Sequence, residues 1–183
     1  MSTNLRSLQG TYVIDTAHSS VAFVARHAMI TKVRGNFSGF SGEAKLDGTD
    51  PAASSVQLVI PVDSVETRNS DRDAHVKSAD FFNAEKYPTI TFKSTNVVLK
   101  GDESFDLIGD LTIKDVTKSV IIPWQYTGEA TDPFGNQRVG FEGSVDVNRK
   151  DWGLAWNAAL EAGGVLVGET VKLEFEVSAI KQP

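Results

Sequence analysis

The chain contains no cysteine. That excludes disulfides, thiol nucleophiles and thiolate-bound metals. Histidine is scarce at three residues and methionine at two. Cations are outnumbered, 18 Lys and Arg against 24 Asp and Glu, for a formal net charge of −6. Phosphate contact needs clustered Lys and Arg, so this balance argues against a nucleic-acid partner. No apolar run is long enough to span a membrane. The first ten residues, Met1 to Gly10, also lack the apolar stretch of a secretory signal, so a cytoplasmic location is expected. There is no His-Glu-x-x-His, Walker A or Gly-x-Gly-x-x-Gly sequence, and no Gly-x-Ser-x-Gly elbow. Internal repeats, linkers and low-complexity tracts are likewise missing.

What the chain does have is alternation. Phe105, Leu107, Gly109, Leu111 and Ile113 fall on one side of an extended segment, and Asp106, Ile108, Asp110 and Thr112 on the other. Val171, Leu173, Phe175, Val177 and Ala179 alternate in the same way with Lys172, Glu174, Glu176 and Ser178. Val21, Phe23, Ala25 and His27 share one face of an earlier strand. Val120, Ile122, Trp124 and Tyr126 share one face of a later strand. One-sided strands of this kind belong to an antiparallel sheet rolled around an apolar interior. Eight or nine of them, with mostly short connections, predict an all-β up-and-down barrel, with a sandwich as the structural alternative. The 183 residues read as one domain over residues 11–181, preceded by an N-terminal tail over residues 1–10.

Three stretches break the alternation. Between Lys32 and Leu46 the apolar set slips by one residue, with Gly35, Gly39 and Gly42 around the slip. This predicts a bulge or sharp bend in one long strand. Asn69 or Ser70 can cap a short helix over about Asp71 to Ser78, with Ser70 and Asp73 as a capping pair. Asn148 to Gly168 reads as loop or a short helix. The run Arg68-Asn-Ser-Asp-Arg-Asp73 mixes charge signs at close spacing and suits a self-paired helix start better than a head-group site.

The interior is either a packed core or a cavity. Ala25, Gly109, Gly143 and Ala179 are small and would leave lumen space, although glycines also bend strands at barrel corners. Ten Phe, three Trp and three Tyr serve a core and a pocket equally well. The histidines His18, His27 and His75 lie on separate elements without metal-ligand spacing. His27 follows Phe23 and Ala25 on the inward face and could meet a polar ligand head. Asp151 and Glu161 have no evident acid–base partner.

A set of short motifs then resembles a known family. It comprises Tyr12-Val-Ile-Asp-Thr-Ala-His-Ser-Ser-Val-Ala-Phe23 with His27, Gly35-Asn-Phe37, Thr67, Arg72-Asp-Ala-His75, Asp80-Phe-Phe82 and Tyr87-Pro88 with Phe92. It continues through Gly109-Asp-Leu-Thr-Ile113 with Val116-Thr117, Arg149-Lys-Asp-Trp-Gly153 and Val167-Gly-Glu-Thr-Val171. In this order, over about residues 10–181, they resemble the YceI-like, polyisoprenoid-binding family. Asp115 stands where that family usually has Gly. The resemblance implies a lipocalin-like extended antiparallel β-barrel whose lumen holds a long-chain isoprenoid or fatty-acid-like lipid, with no defined catalytic apparatus.

The expected function is therefore a lipid-binding or carrier protein, with no cofactor, metal or catalytic residue assigned. Phe23, Phe37, Phe92, Leu107, Leu111, Trp124, Phe141 and Phe175 are the wall candidates, and His27 and Arg72 the head-group candidates. Gly109 is expected to face open lumen, so that Gly109→Leu blocks binding in a folded barrel. The alternatives are an enzyme acting on a small apolar substrate, a His-ligated metal or haem carrier, and a solid barrel acting through a protein partner. Exposed sheet edges would allow a homodimer.

Overall fold

The computed structural model describes residues 4–183. Eleven strands form one antiparallel sheet: β1 (Gln9–Ile14), β2 (Ser20–His27), β3 (Thr31–Phe37), β4 (Ser41–Asp47), β5 (Ser55–Pro61), β6 (Val65–Glu66), β7 (Thr89–Leu99), β8 (Ser104–Ile113), β9 (Val116–Thr131), β10 (Gln137–Asn148) and β11 (Thr170–Lys181). The single α-helix among the described residues, α1 (Ser70–Lys77), lies between β6 and β7. No helix among the described residues is long and apolar enough to cross a membrane.

Eight strands close into a ring in the order β1-β4-β5-β7-β8-β9-β10-β11, sealed where Tyr12, Val13 and Ile14 pair with Lys181, Ile180 and Ala179. From β7 to β11 the ring is a simple meander, with short turns from β7 to β10 and the long 149–169 connection before β11. The other three strands branch from it. β2 pairs with the first half of β11, β3 with β2, and β6 with the end of β3. β11 is long enough to hold β2 along one half and β1 along the other.

This arrangement corrects the reading of Lys32 to Leu46 as one bent strand. It is two strands in different places: β3 pairs with β2 and β6, whereas β4 pairs with β1 and β5. The one-residue slip marks the crossing between them, where Phe37 and Phe40 are both buried. The helix forms almost where the capping signals place it. Asn69 is the N-cap and accepts from Arg72 N–H at 2.9 Å. Asp73 does not close a box with Ser70. It accepts instead from the backbone and hydroxyl of Thr67, at 2.7 and 2.5 Å.

The antiparallel register gives the barrel two distinct ends. One gathers β1's start with the β7–β8 and β9–β10 turns, and the other gathers α1, β2's end and the loop after β10. The larger apolar cluster lies around Phe37, Ile60, Phe92, Leu107, Leu111 and Trp152. A second cluster of Leu5, Leu8, Tyr12, Tyr126, Val139 and Ala179 occupies the other end. Residues 4–10 are therefore no tail. Leu5 to Ser7 form a 3-10 turn, capped by the Asn4 side chain, and Leu5 and Leu8 are only 6% and 3% exposed. Residues 1–3 lie outside the described residues.

Candidate functional site

The inward faces of the ring enclose an apolar cavity of about 620 Å³, within the range of small-molecule sites, roughly 300–1,000 Å³. It reaches from Leu5, Leu8 and Ala179 at one end to His27, Arg72, His75 and Trp156 at the other. The residues that alternate inward in sequence thus surround space as well as one another.

Ten of the eleven expected site residues line this cavity: Phe23, His27, Phe37, Arg72, Phe92, Leu107, Leu111, Trp124, Phe141 and Phe175. Gly109 does not, and the expectation that it faces open lumen is corrected. A Cβ built there would stand 2.4 Å from the ring of Phe92 and 2.7 Å from the carbonyl oxygen of Lys93. The space beside Gly109 is taken by an aromatic ring. Gly143 is similar, with a built Cβ 2.6 Å from the Trp124 ring. Gly143 pairs with Trp124 on one side and Phe175 on the other, and those two rings stack across it at 5.5 Å. Phe105 extends the row on β8, stacked on Trp124 at 6.4 Å. The small residues seat aromatic rings against the wall, and the rings line the lumen. Within this row the indole N–H of Trp124 is buried and meets no acceptor among the described residues.

Polar side chains collect at the helix end. Arg72 Nε donates to the Thr67 hydroxyl at 2.9 Å, and its Nη2 donates to the Thr67 carbonyl. Thr67 is 2% exposed and is fully engaged by Arg72 and Asp73, two residues of α1. His75 Nε2 lies 2.9 Å from Asp80 Oδ2, and its ring packs edge-on against Phe81 and Trp156 at 5.1 and 4.6 Å. His27 ends β2, is exposed, and makes no side-chain hydrogen bond among the described residues.

Two features of this end carry no signal in periodicity. The first is Arg149, 6% exposed. Its Nε donates to Gly168 O at 2.8 Å, Nη1 to Leu154 and Trp156 O at 2.5 and 3.0 Å, and Nη2 to Val167 O at 3.1 Å. Burial pushes this guanidinium below its ordinary value, with Glu169 opposing. Arg149 thereby ties the two ends of the 154–168 loop together, while Asn157 bonds Val167 through both its amide atoms and the end of β2 pairs with Leu166 and Gly168. The second is the aromatic trio His75, Phe81 and Trp156, drawn from three separate segments.

The three histidines stay apart. His18 lies on the outside, 2.7 Å from Asp15 Oδ2, which also receives Arg138 Nη1 at 2.6 Å. Arg138 and then His18 hold the Asp15 carboxyl down at about 2. Among the described residues no group of three or more His, Asp or Glu side chains is arranged to hold a metal ion.

Known proteins share this sequence and shape. A UPF0312 protein of Vibrio cholerae is 42% identical over 145 residues, 78% of this chain and 77% of the relative. A UPF0312 protein of Ectopseudomonas mendocina is 35% identical over 179 residues, 97% and 91% of the two chains. The crystal structure of BcnA from Burkholderia cenocepacia superposes with a TM-score of 0.79 at 25% identity, over 90% of this chain and 98% of that one. A polyisoprenoid binding domain from Saccharophagus degradans has a TM-score of 0.72 at 16% identity, covering 93% and 98%, a likeness of fold alone. The YceI-like domain model matches residues 12–179. With nearly the whole barrel inside that match, this chain belongs to the YceI-like family.

Proposed function

We propose that the protein binds and carries a long-chain isoprenoid or a similar lipid, with the tail in the barrel and the polar head at the helix end. The observation that carries this reading is the apolar cavity of about 620 Å³ running from the buried N-terminal turn to α1. Burying apolar surface yields roughly 25 cal/mol per Å², so a long tail can be held without any strong polar contact. The family supports a hydrophobic ligand, and a polyisoprenoid-binding domain shares the fold. In this reading Phe23, Phe37, Phe92, Leu107, Leu111, Trp124, Phe141 and Phe175 contact the tail. His27 and the Nη1 edge of Arg72 face the head, since Arg72 uses Nε and Nη2 on Thr67. The activity is binding and delivery, with no covalent step assigned. A homodimer would have to use β6 or an outer face, because ring closure leaves β6 at the free end of the sheet.

Native mass spectrometry of gently purified protein, followed by organic extraction, tests the reading. A bound species of lipid mass, released on denaturation, is the expected result. A clean apo mass that does not change when farnesol, geranylgeraniol or oleate is added would overturn it.

A further inference from the structure

We infer that the N-terminal turn, Leu5 to Leu8, is the floor of the lumen and sets the longest ligand chain the barrel accepts. This rests on the lipid-carrier reading above and adds to it the element that selects among chain lengths.

The turn crosses the end of the barrel. Its last residues lead into β1, whose neighbours are β4 and β11. Its first residue is tied elsewhere: Leu5 N–H donates to Asp102 O at 3.0 Å, in the β7–β8 turn. On a ring of eight strands in the order β1-β4-β5-β7-β8-β9-β10-β11, β8 lies directly opposite β1. The segment is thus a strap from one side of the barrel mouth to the other. A second tie lies between them, where Gly48 N–H donates to Leu8 O at 2.8 Å.

The strap's side chains point inward. Leu5 and Leu8 are buried with Tyr12, Tyr126, Val139 and Ala179, and both leucines line the cavity. At the other end the lumen meets Arg72, His75 and Arg149, which suit a polar head. A chain held head-first at α1 therefore runs toward Leu5 and Leu8 and stops there. The bed of the strap is also tight. A Cβ at Gly48 would stand 2.3 Å from Leu5 O and 2.6 Å from the Arg6 carbonyl carbon, all backbone atoms. Position 48 thus gives a way to move the strap without touching a lumen side chain.

The test uses the full chain and three proteins: wild type, the double substitution Leu5→Ala with Leu8→Ala, and Gly48→Ala. Each is titrated with a ladder of all-trans prenols (geraniol, farnesol, geranylgeraniol and longer) and a ladder of saturated fatty acids. Circular dichroism and thermal melts establish that each variant is folded. Wild type should show an upper chain length beyond which affinity falls. In both variants that limit should move to longer chains, with roughly tenfold tighter binding for every two methylenes of new room. The shorter chains should change little. An unchanged limit in folded Leu5→Ala/Leu8→Ala and Gly48→Ala protein overturns the floor. Fatty-acid binding with the expected shift, but no prenol binding, overturns the isoprenoid reading and upholds the floor. Binding of neither series to wild type overturns both.

Discussion

Phe23, Phe92 and Trp124 each cover a glycine on a neighbouring strand: Gly35, Gly109 and Gly143. A ring seated over a glycine fills the missing side chain's place and leaves the space in front of it open, which a packed core would not. This separates two substitutions that look alike in sequence. At Gly109 a methyl group meets both the Phe92 ring and the Lys93 backbone oxygen, so the strand pair itself must shift. Gly109→Ala should cost about 1–3 kcal/mol in a urea melt, and Gly109→Leu should cost more. At Gly143 the nearest atoms all belong to the Trp124 ring, which can swing into the lumen. Gly143→Ala should therefore lose lipid uptake with little loss of stability, and equal loss of stability at both positions would refute the distinction. The unpartnered Trp124 indole N–H gives a second expectation. A buried donor without an acceptor costs roughly 1–3 kcal/mol, so Trp124→Phe should hold or raise the melting temperature of lipid-free protein. A fall of several degrees would show that the indole contributes more by packing than it costs by desolvation. Alternation placed these residues on the inner wall, but not the rings over the glycines. Whether a glycine faces space or a ring depends on the cross-strand register, which a single strand's pattern does not contain.

At the scale of elements, the parts that alternate were legible and the parts held by single polar side chains were not. The helix announced itself through Asn69, because capping is a local event. The strap did not, since Leu5 and Leu8 are too few to show a period. The 154–168 loop is joined at both ends by Arg149, and long charged side chains are seldom fully buried, so nothing in a lone Arg announces that role. Its fork reaches four carbonyls. Lysine keeps the charge but cannot match that geometry. Arg149→Lys should leave the strands intact and raise amide exchange across the 154–168 loop, read by hydrogen-exchange mass spectrometry. Uniform protection in the variant would mean that the Asn157 bonds to Val167, the backbone bonds to β2 and the Trp156 ring contacts hold the loop without the Arg149 fork. A different polar element joins β10 to the outside of β1. Arg138 bridges Asp15 and Asp132 at 2.6 and 2.8 Å, and both carboxyls are lowered. Asp15 titrates at about 2 when folded, below its ordinary value of 3.8. Its contribution is thus present above about pH 4 and is lost as pH falls toward about 2. The melting temperatures of wild type and Asp15→Asn should differ at neutral pH and converge over that window. A gap that persists at the acid end would show that the charge is not what stabilises the junction.

For the whole molecule, the barrel's two ends differ in chemistry. One is a leucine floor sealed by backbone hydrogen bonds, and the other carries Arg72, Arg149, His75 and His27. An apolar chain with one polar end fits that asymmetry in a single direction. The fold also explains how so long a cavity survives in a domain of this size. Aromatic rings are carried by the strands, and the ends are closed by the strap and the 154–168 loop, so the wall needs no filled centre. Binding to such a site acts on the folded state alone, because the unfolded chain has no lumen. Ligand at a hundred times Kd should then stabilise the protein by about 2.7 kcal/mol, or roughly 5–10 °C in melting temperature for a chain of this length. Protein melted as purified, after delipidation, and after reloading with the extracted lipid should give a high, a low and a restored transition. Reloading that restores the transition in wild type but not in Gly143→Ala would place the stabilising ligand in the lumen, against the Trp124 ring. A single melting temperature across all three preparations would mean that the barrel is complete without a ligand, and the lipid-carrier reading would fall with it.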